Sequence, residues 1–398
     1  MPKGSSSDAP VLTLRELNRA LLARQMLLAR EKRTVVDAIE RLGALQAQWP
    51  RAPYMGLWTR LERFERRDLE RGLRARRVVK ASLMRGTLHL ASAKDYPFYT
   101  VAAREARRQL WHSTQRQLVA FYQRQLPAVR TFAREGRAPI SDPEKLHRAM
   151  LRHAAAPRSR DELIAFIERE AKVPHELATH LVWGFIAAHG LFVHVPDSAM
   201  FDADRAGELV AANVALPRMT VPTFEDAVLR IVTRHLAAFG PATIDDVSSW
   251  TSVRTPPIRD AIARLGARVT RFVDERGRVL FDLTASPRPA AEVPAPTRFL
   301  PKWDSTLLAY SPAERVRILP ERYRTAVIGK NGDVAQTILV DGFVAGTWTT
   351  TKGAHGIVVT ITAFGRIGRG ERAALIEEGT RLARFLAPDA ESVGAKIA

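Results

Sequence analysis

The 398-residue chain contains no cysteine. That absence excludes disulfide staples, thiolate zinc sites and iron–sulfur clusters, and it fits the reducing cytoplasm, where the protein is expected to reside. Long apolar runs are missing too. The greasiest stretch, HLVWGFIAAHGLFVHV (180–195), is broken by His189 and falls short of the roughly 20 apolar residues of a bilayer span, so no membrane partner is expected. The start, MPKGSSSDAP, lacks the apolar segment of a signal peptide and reads as a disordered tail over 1–11. No G-x-x-x-x-G-K-[ST] loop, HExxH helix or GxSxG elbow occurs. Nucleotide hydrolysis, zinc proteolysis and α/β-hydrolase chemistry thereby lose their usual markers. The ten histidines, His147, His175 and His180 among them, stand at no ligand spacing in the sequence, and neither a metal nor a cofactor is expected.

Acidic side chains are scarce relative to basic ones, 42 against 61, for a formal charge of +19. The excess is uneven. Residues 1–150 hold 30 basic and 14 acidic side chains, and the remaining 248 residues hold 31 and 28. A concentrated excess of this kind is the footprint of a polyanion partner, nucleic acid first among them. Arginine outnumbers lysine 51 to 10, as a GC-rich genome would also produce, but that bias explains the identity of the cations better than their segregation.

The pattern of caps and turns implies an α+β chain of several units. Thr13 and Glu16 in TLRE form a capping-box signature ahead of a helix to about Arg30, and a second helix opens near Thr34 and should end near Leu45 or Gln46. Arginine-decorated helix follows over 56–77, strand over 78–91, and a long polar helix from Tyr96 to about Arg137. Helix–turn–helix–strand patterns then appear twice, in SRDELIAFI…LFVHVP and in FGPATIDDVSSWTSV…DERGR, which reads as winged-helix architecture. TASPRPAAEVPAPT (284–297) has the composition of a linker. Beyond it the NG, DG and KGAHG turns mark antiparallel strands, and a helix runs from about Gly370 to Leu386. The expected divisions are 12–140, a basic winged-helix-like domain; 141–215 and 216–290, two further winged helices; and 291–398, a small β-rich module with a terminal helix.

GALQAQWPRAPY (43–54) places Gln46 and Gln48 just ahead of Pro50 with no carboxylate between them. On a helix the two would diverge by about 200°, whereas in an extended segment of period two they point the same way. Pro50 disfavours helix at Trp49 and so favours convergence. An amide cannot act as a general base near neutral pH; it can orient a water and present a dipole to developing positive charge.

LGALQAQWPRAP, LMRGTLHLASAKD, LPKWDSTLLAY and LVDGFVAGTW, in this order across residues 12 to about 390, resemble the AlkZ/YcaQ family of winged-helix DNA glycosylases. The resemblance implies three tandem winged-helix units in a C-shaped arrangement. It also implies a catalytic Gln-x-Gln element, matched by Gln46 and Gln48, and hydrolysis of the N-glycosidic bond of alkylated purines, chiefly N7-alkylguanine. Self-resistance to genotoxic natural products is common among such enzymes. Gln48 is assigned to positioning the water and Gln46 to holding water or deoxyribose, an allocation open to reversal. Arg85, His89 and Asp304 are candidates for support, though His89 could simply satisfy a buried hydrogen bond and Asp304 cap the following turn. Arg51, Arg74, Arg76 and Arg77 are expected on phosphates, and Lys352 and His355 at the tip of a hairpin that enters the minor groove. The expected partner is duplex DNA carrying alkylated purines, and the chain is expected to be a monomer. Two competing readings stand beside this one. The first is a winged-helix regulator without enzymatic activity; the second is a lyase-type enzyme using Lys80, Lys94 or Lys302.

Overall fold

A computed structural model describes residues 9–122, 129–130, 134, 140–203, 207–353 and 355–398. The first eight residues of the expected tail, and most of the expected helix beyond Tyr122, lie outside the described residues. Strand β1 (Val11–Leu12) leads into α1 (Leu14–Arg24), whose N-cap Thr13 and Glu16 form the capping box read from the sequence. α2 (Val35–Arg41), β2 (Leu45–Gln46), α3 (Arg51–Trp58) and α4 (Arg66–Arg74) follow. Next come β3 (Val78–Ser82), β4 (Leu88–Ser92) and α5 (Tyr96–Tyr122). The middle of the chain supplies α6 (Pro143–His153), α7 (Arg160–Ala171) and α8 (His175–Gly184), the last running into a π-turn at Phe185–His189. β5 (Phe192–His194) and β6 (Leu209–Ala211) precede α9 (Phe224–Phe239), α10 (Ile244–Thr251), α11 (Thr255–Leu265), β7 (Val269–Asp274) and β8 (Val279–Leu283). The last part holds β9 (Arg298–Leu300), β10 (Thr337–Val340), β11 (Phe343–Lys352), β12 (Gly356–Ala363), α12 (Arg369–Leu386) and β13 (Ser392–Ile397).

These elements fall into two compact units. One comprises Met1–Glu65, Thr233–Trp250 and Leu265–Ala398; the other comprises Arg66–Val232 and Thr251–Arg264.

In the first unit a five-stranded sheet has the order β13-β12-β11-β10-β9, antiparallel except for the parallel β12–β13 pair. The DG turn closes β10 onto β11 with Asp341 and Gly342 both at positive φ, 45° and 85°, as a two-residue hairpin turn requires. α12 lies against this sheet closely enough that a Cβ on Gly379 would stand 2.8 Å from Ala395 Cβ. A second sheet sets β1 parallel to β7 and β7 antiparallel to β8. α1 is bound to residues far along the chain by a polar face that is wholly buried. Arg24 clamps Asp282 through two bonds of 2.7 Å, and Asn18 donates to the carbonyls of Arg317 and Gly342.

The stretch 284–297, whose composition suggests a linker, has no buried residue but is held against α1 by its carbonyls. Arg15, Arg19 and Arg24 donate to the carbonyls of Ala291, Val293 and Pro287. Proline removes backbone donors but leaves every acceptor, so arginine can hold such a segment where a strand could not.

The second unit is built on the β3–β4 hairpin, the β5–β6 pair and the apolar faces of α6, α7 and α8. Leu146, Met150, Leu163, Ile167, Leu177, Leu181, Phe185 and Phe192 fill its core. α7 begins with the expected capping box, Ser159 with Glu162.

Candidate active site

Two local devices set the geometry of the glutamines. α2 ends at Arg41 rather than near Leu45, because Gly43 (φ +81°) takes the left-handed position after the C-cap Leu42. A Cβ there would meet Phe239 and Trp250 only at contact distance, 3.4 and 3.6 Å, so the backbone conformation rather than space calls for glycine. At the other end Pro50 is the N-cap of α3 and already helical, φ −54° and ψ −36°. Between them the chain is extended at Leu45–Gln46 and bends at Gln48 and Trp49, and Gln46 Nε2 donates to Gln48 Oε1. The two amides converge, as the position of Pro50 suggests. Gln46 is buried at 6% exposure, whereas Gln48 stands in solvent. A buried amide therefore fixes the rotamer of an exposed one, and Gln48 keeps further hydrogen-bonding capacity at the surface.

This interval is held by residues from far along the same unit. Arg60, just past α3, is 1% exposed and donates to the Gly56 carbonyl at 2.9 Å and to Asp304 Oδ1 at 2.8 Å. Asp304 caps the turn Ser305–Leu308 through Thr306 N and also accepts from Thr306 Oγ1. Its neighbour Ser305 donates to the Ala44 carbonyl at 3.4 Å. A Cβ on Gly56 would lie 3.7 Å from Leu45 and 3.8 Å from Pro301. At the far end of α3, Trp58 stacks on Phe385 with centroids 5.8 Å apart and lies 4.9 Å from the Arg30 guanidinium, which pairs with Glu378. Asp304 thus caps a turn and neutralises a buried arginine, and the loop that carries it braces the backbone two residues ahead of Gln46.

Arg85 and His89 belong to the second unit. They do not share one strand, because a turn at Met84–Gly86 separates β3 from β4 and puts Arg85 at φ +55°. His89 is wholly buried, with Nδ1 2.9 Å from the Thr87 carbonyl and Nε2 without a hydrogen-bond partner among the described residues. Burial, with Arg85 and Arg107 nearby, pushes its imidazole down to about 3, so the ring is neutral at physiological pH. Arg74 and Arg77 are exposed, and Arg74 lies 3.4 Å from Glu70. Arg76 is half-buried, donates to the His194 carbonyl and has its guanidinium pushed down by burial. In the first unit Arg51 opens α3 half-buried. Lys352 and His355 are exposed at the β11–β12 turn, where Gly353 N donates to the Gly356 carbonyl and His355 Nδ1 lies 3.5 Å from Glu391. Lys80 is buried in β3, donates to the Ser198 carbonyl at 2.6 Å and is pushed down to about 8 by burial. Lys302 pairs with Asp333, and Lys94 is exposed.

Among the described residues no three carboxylate or imidazole groups gather around the glutamines. Sequence reasoning missed Arg60, since nothing local marks a partner for Asp304 that stands 244 positions earlier.

A family profile described as "DNA glycosylase AlkZ-like" matches residues 39–385. The chain is 26% identical over 340 residues to the interstrand DNA cross-link repair glycosylase of Streptomyces sahachiroi, an alignment covering 82% of this chain and 85% of that protein. The solved structure of the Streptomyces sahachiroi DNA glycosylase AlkZ superposes with a TM-score of 0.74 at 20% identity, covering 98% of this chain and all of that one. The matched profile begins before Gln46 and ends at α12, so that the amide pair and its braces fall inside it, and the chain belongs to the AlkZ-like DNA glycosylase family.

Proposed function

We propose that this DNA glycosylase is monofunctional and hydrolyses the N-glycosidic bond of N7-alkylguanine adducts in duplex DNA, in repair or in self-resistance to a genotoxin. The observation that carries the reading is the bonded amide pair, Gln46 beneath and Gln48 at the surface. Neither group can take a proton near neutral pH. Such a site works only where the leaving group is already activated. N7-alkylguanine is cationic and departs as a neutral base, so the protein need supply only an oriented water and a dipole facing the developing positive charge on the sugar. Gln48 orients the water, and Gln46 sets Gln48. Asp304, committed to Arg60 and Thr306, braces the site. The burial of Lys80 and its bond to Ser198 favour hydrolysis over Schiff-base chemistry.

The order α9-α10-α11-β7-β8 supports a winged-helix reading of that segment, and the tandem, C-shaped arrangement belongs to the same proposal. Arg51, Arg74, Arg76, Arg77, Lys352 and His355 serve as backbone or minor-groove contacts. The name of the Streptomyces sahachiroi relative supports extending the substrate class to bulky and cross-linking adducts, which an open surface accommodates more readily than a pocket built for a flipped base. The test is incubation of purified protein with duplex carrying N7-methylguanine. Free N7-methylguanine and abasic sites are expected, with unmodified guanine retained. Release of unmodified guanine, or intact lesion after prolonged incubation, would refute the reading.

A further inference from the structure

The second unit brings together three side chains that the sequence keeps apart. Glu144 and His147 lie on α6 at i and i+3, one above the other on the same helical face. His189 arrives from the π-turn after α8. One ligand-type atom from each of the three lies within 4.8 Å of the others. His189 Nδ1 is 3.3 Å from Glu144 Oε1, and the two imidazoles have centroids 5.2 Å apart. Two ligands of a tetrahedral zinc ion bound at about 2.0–2.1 Å stand about 3.4 Å from each other; the Glu144–His189 pair, at 3.3 Å, already has that separation, and the His147 nitrogen lies within 4.8 Å of both.

We propose that Glu144, His147 and His189 form a zinc site that joins α6 to the turn following α8, with water in the fourth position. Two imidazoles and one carboxylate suit zinc rather than magnesium or calcium, which take oxygen donors. His147 Nε2 donates to the Gly190 carbonyl at 2.9 Å. That bond leaves Nδ1 as the ligating atom and fixes the ring, the usual outer support of a metal-bound histidine. The support comes from the residue next to His189, so one turn supplies a ligand and orients another. Gly190 adopts φ +67°, and a Cβ there would meet Thr100 Oγ1 at 2.6 Å, which pins the turn in place. His147 and His189 are each 2% exposed, packed against Phe185 and Phe192, while Glu144 is half-exposed and gives the ion its path of entry. Arg108, which bonds Glu144, and Arg104 face the cluster. Their charge opposes a cation, so the expected affinity is on the order of micromolar rather than picomolar.

The test uses tag-free full-length protein stripped of metal and titrated with Zn2+ against a chromophoric competitor, and with Co2+ followed by its visible d–d absorption. One ion per chain is expected, with the intense spectrum of four-coordinate cobalt and a raised melting temperature. His189→Asn should weaken binding at least about tenfold. Glu144→Gln, at a half-exposed position where folding is not at stake, should do the same. The proposal fails if wild-type protein binds no zinc in the micromolar range, if Glu144→Gln binds as tightly as wild type, or if cobalt gives only the weak spectrum of a six-coordinate ion. Base release plays no part in this measurement, so failure here leaves the proposed reaction standing, and the reverse also holds.

Discussion

Replacing Gln48 by alanine should slow release of N7-methylguanine by about 10²–10³-fold, the usual cost of losing one preorganised polar group at a reacting centre, about 2.7–4 kcal/mol. Gln48 is exposed, so folding should change by less than about 0.5 kcal/mol. Gln46 is expected to act through Gln48. Its side chain lies beneath the surface and its amide donates to Gln48 Oε1, so Gln46→Ala removes an orienting hydrogen bond worth about 1 kcal/mol, or about fivefold in rate. Because one amide works by holding the other, the Gln46→Ala, Gln48→Ala double variant should be no slower than Gln48→Ala alone, a non-additivity of about 1 kcal/mol. The assay is single-turnover release of free base with enzyme in excess, alongside the dissociation constant for an uncleaved duplex, which should stay within about threefold because neither amide neutralises a phosphate. Multiplicative rate losses in the double variant would refute the relay. A double variant as fast as wild type would remove the glutamines from the chemistry altogether.

Asp304→Ala should destabilise the protein by about 3–5 kcal/mol, since it strands the 1%-exposed Arg60 charge; Thr306→Val, which leaves the ion pair intact, should cost much less in the same urea titration. Lys352→Gln should reduce the slope of log affinity against log salt by about one without altering preference among duplex sequences, and an unchanged slope would take Lys352 off the DNA. His89 and His194 are buried and pushed down to about 3, well below the ordinary value of about 6.5. The unfolded chain then takes up protons that the folded chain refuses, so stability falls as pH drops below about 6.5 and continues to fall until about 3, by about 2 kcal/mol per histidine at pH 5. His194→Gln should flatten that loss in urea midpoints measured at pH 7 and pH 5, and a parallel loss in both proteins would show that His194 does not carry it.

The convergence of Gln46 and Gln48 was legible because it depends on local rules: a proline that disfavours helix and an extended backbone of period two. The capping boxes at Thr13 and Ser159 and the hairpin turn at Asp341–Gly342 are local in the same sense. α2 stops at Arg41, four residues before Leu45, because Gly43 takes the left-handed position that ends the helix first. The anchoring of 284–297 was hidden because composition reports side chains, whereas the arginines of α1 hold that stretch by its carbonyls. Arg60 with Asp304, and His189 with His147, pair across distances in sequence that no window of periodicity spans.

The first unit is assembled from segments far apart in the sequence, and α1 meets its partner carbonyl at Gly342 324 residues later. During translation, at about 5–20 residues per second, α1 emerges many seconds before the strands that cover it. Its arginines and asparagine must wait in water while Arg66–Val232, which belongs to the other unit, leaves the ribosome. Loss of the strands that carry Gly342 should therefore undo α1 as surely as their own sheet, and a nascent chain stalled before Asp282 would offer chaperones a helix with nowhere yet to dock.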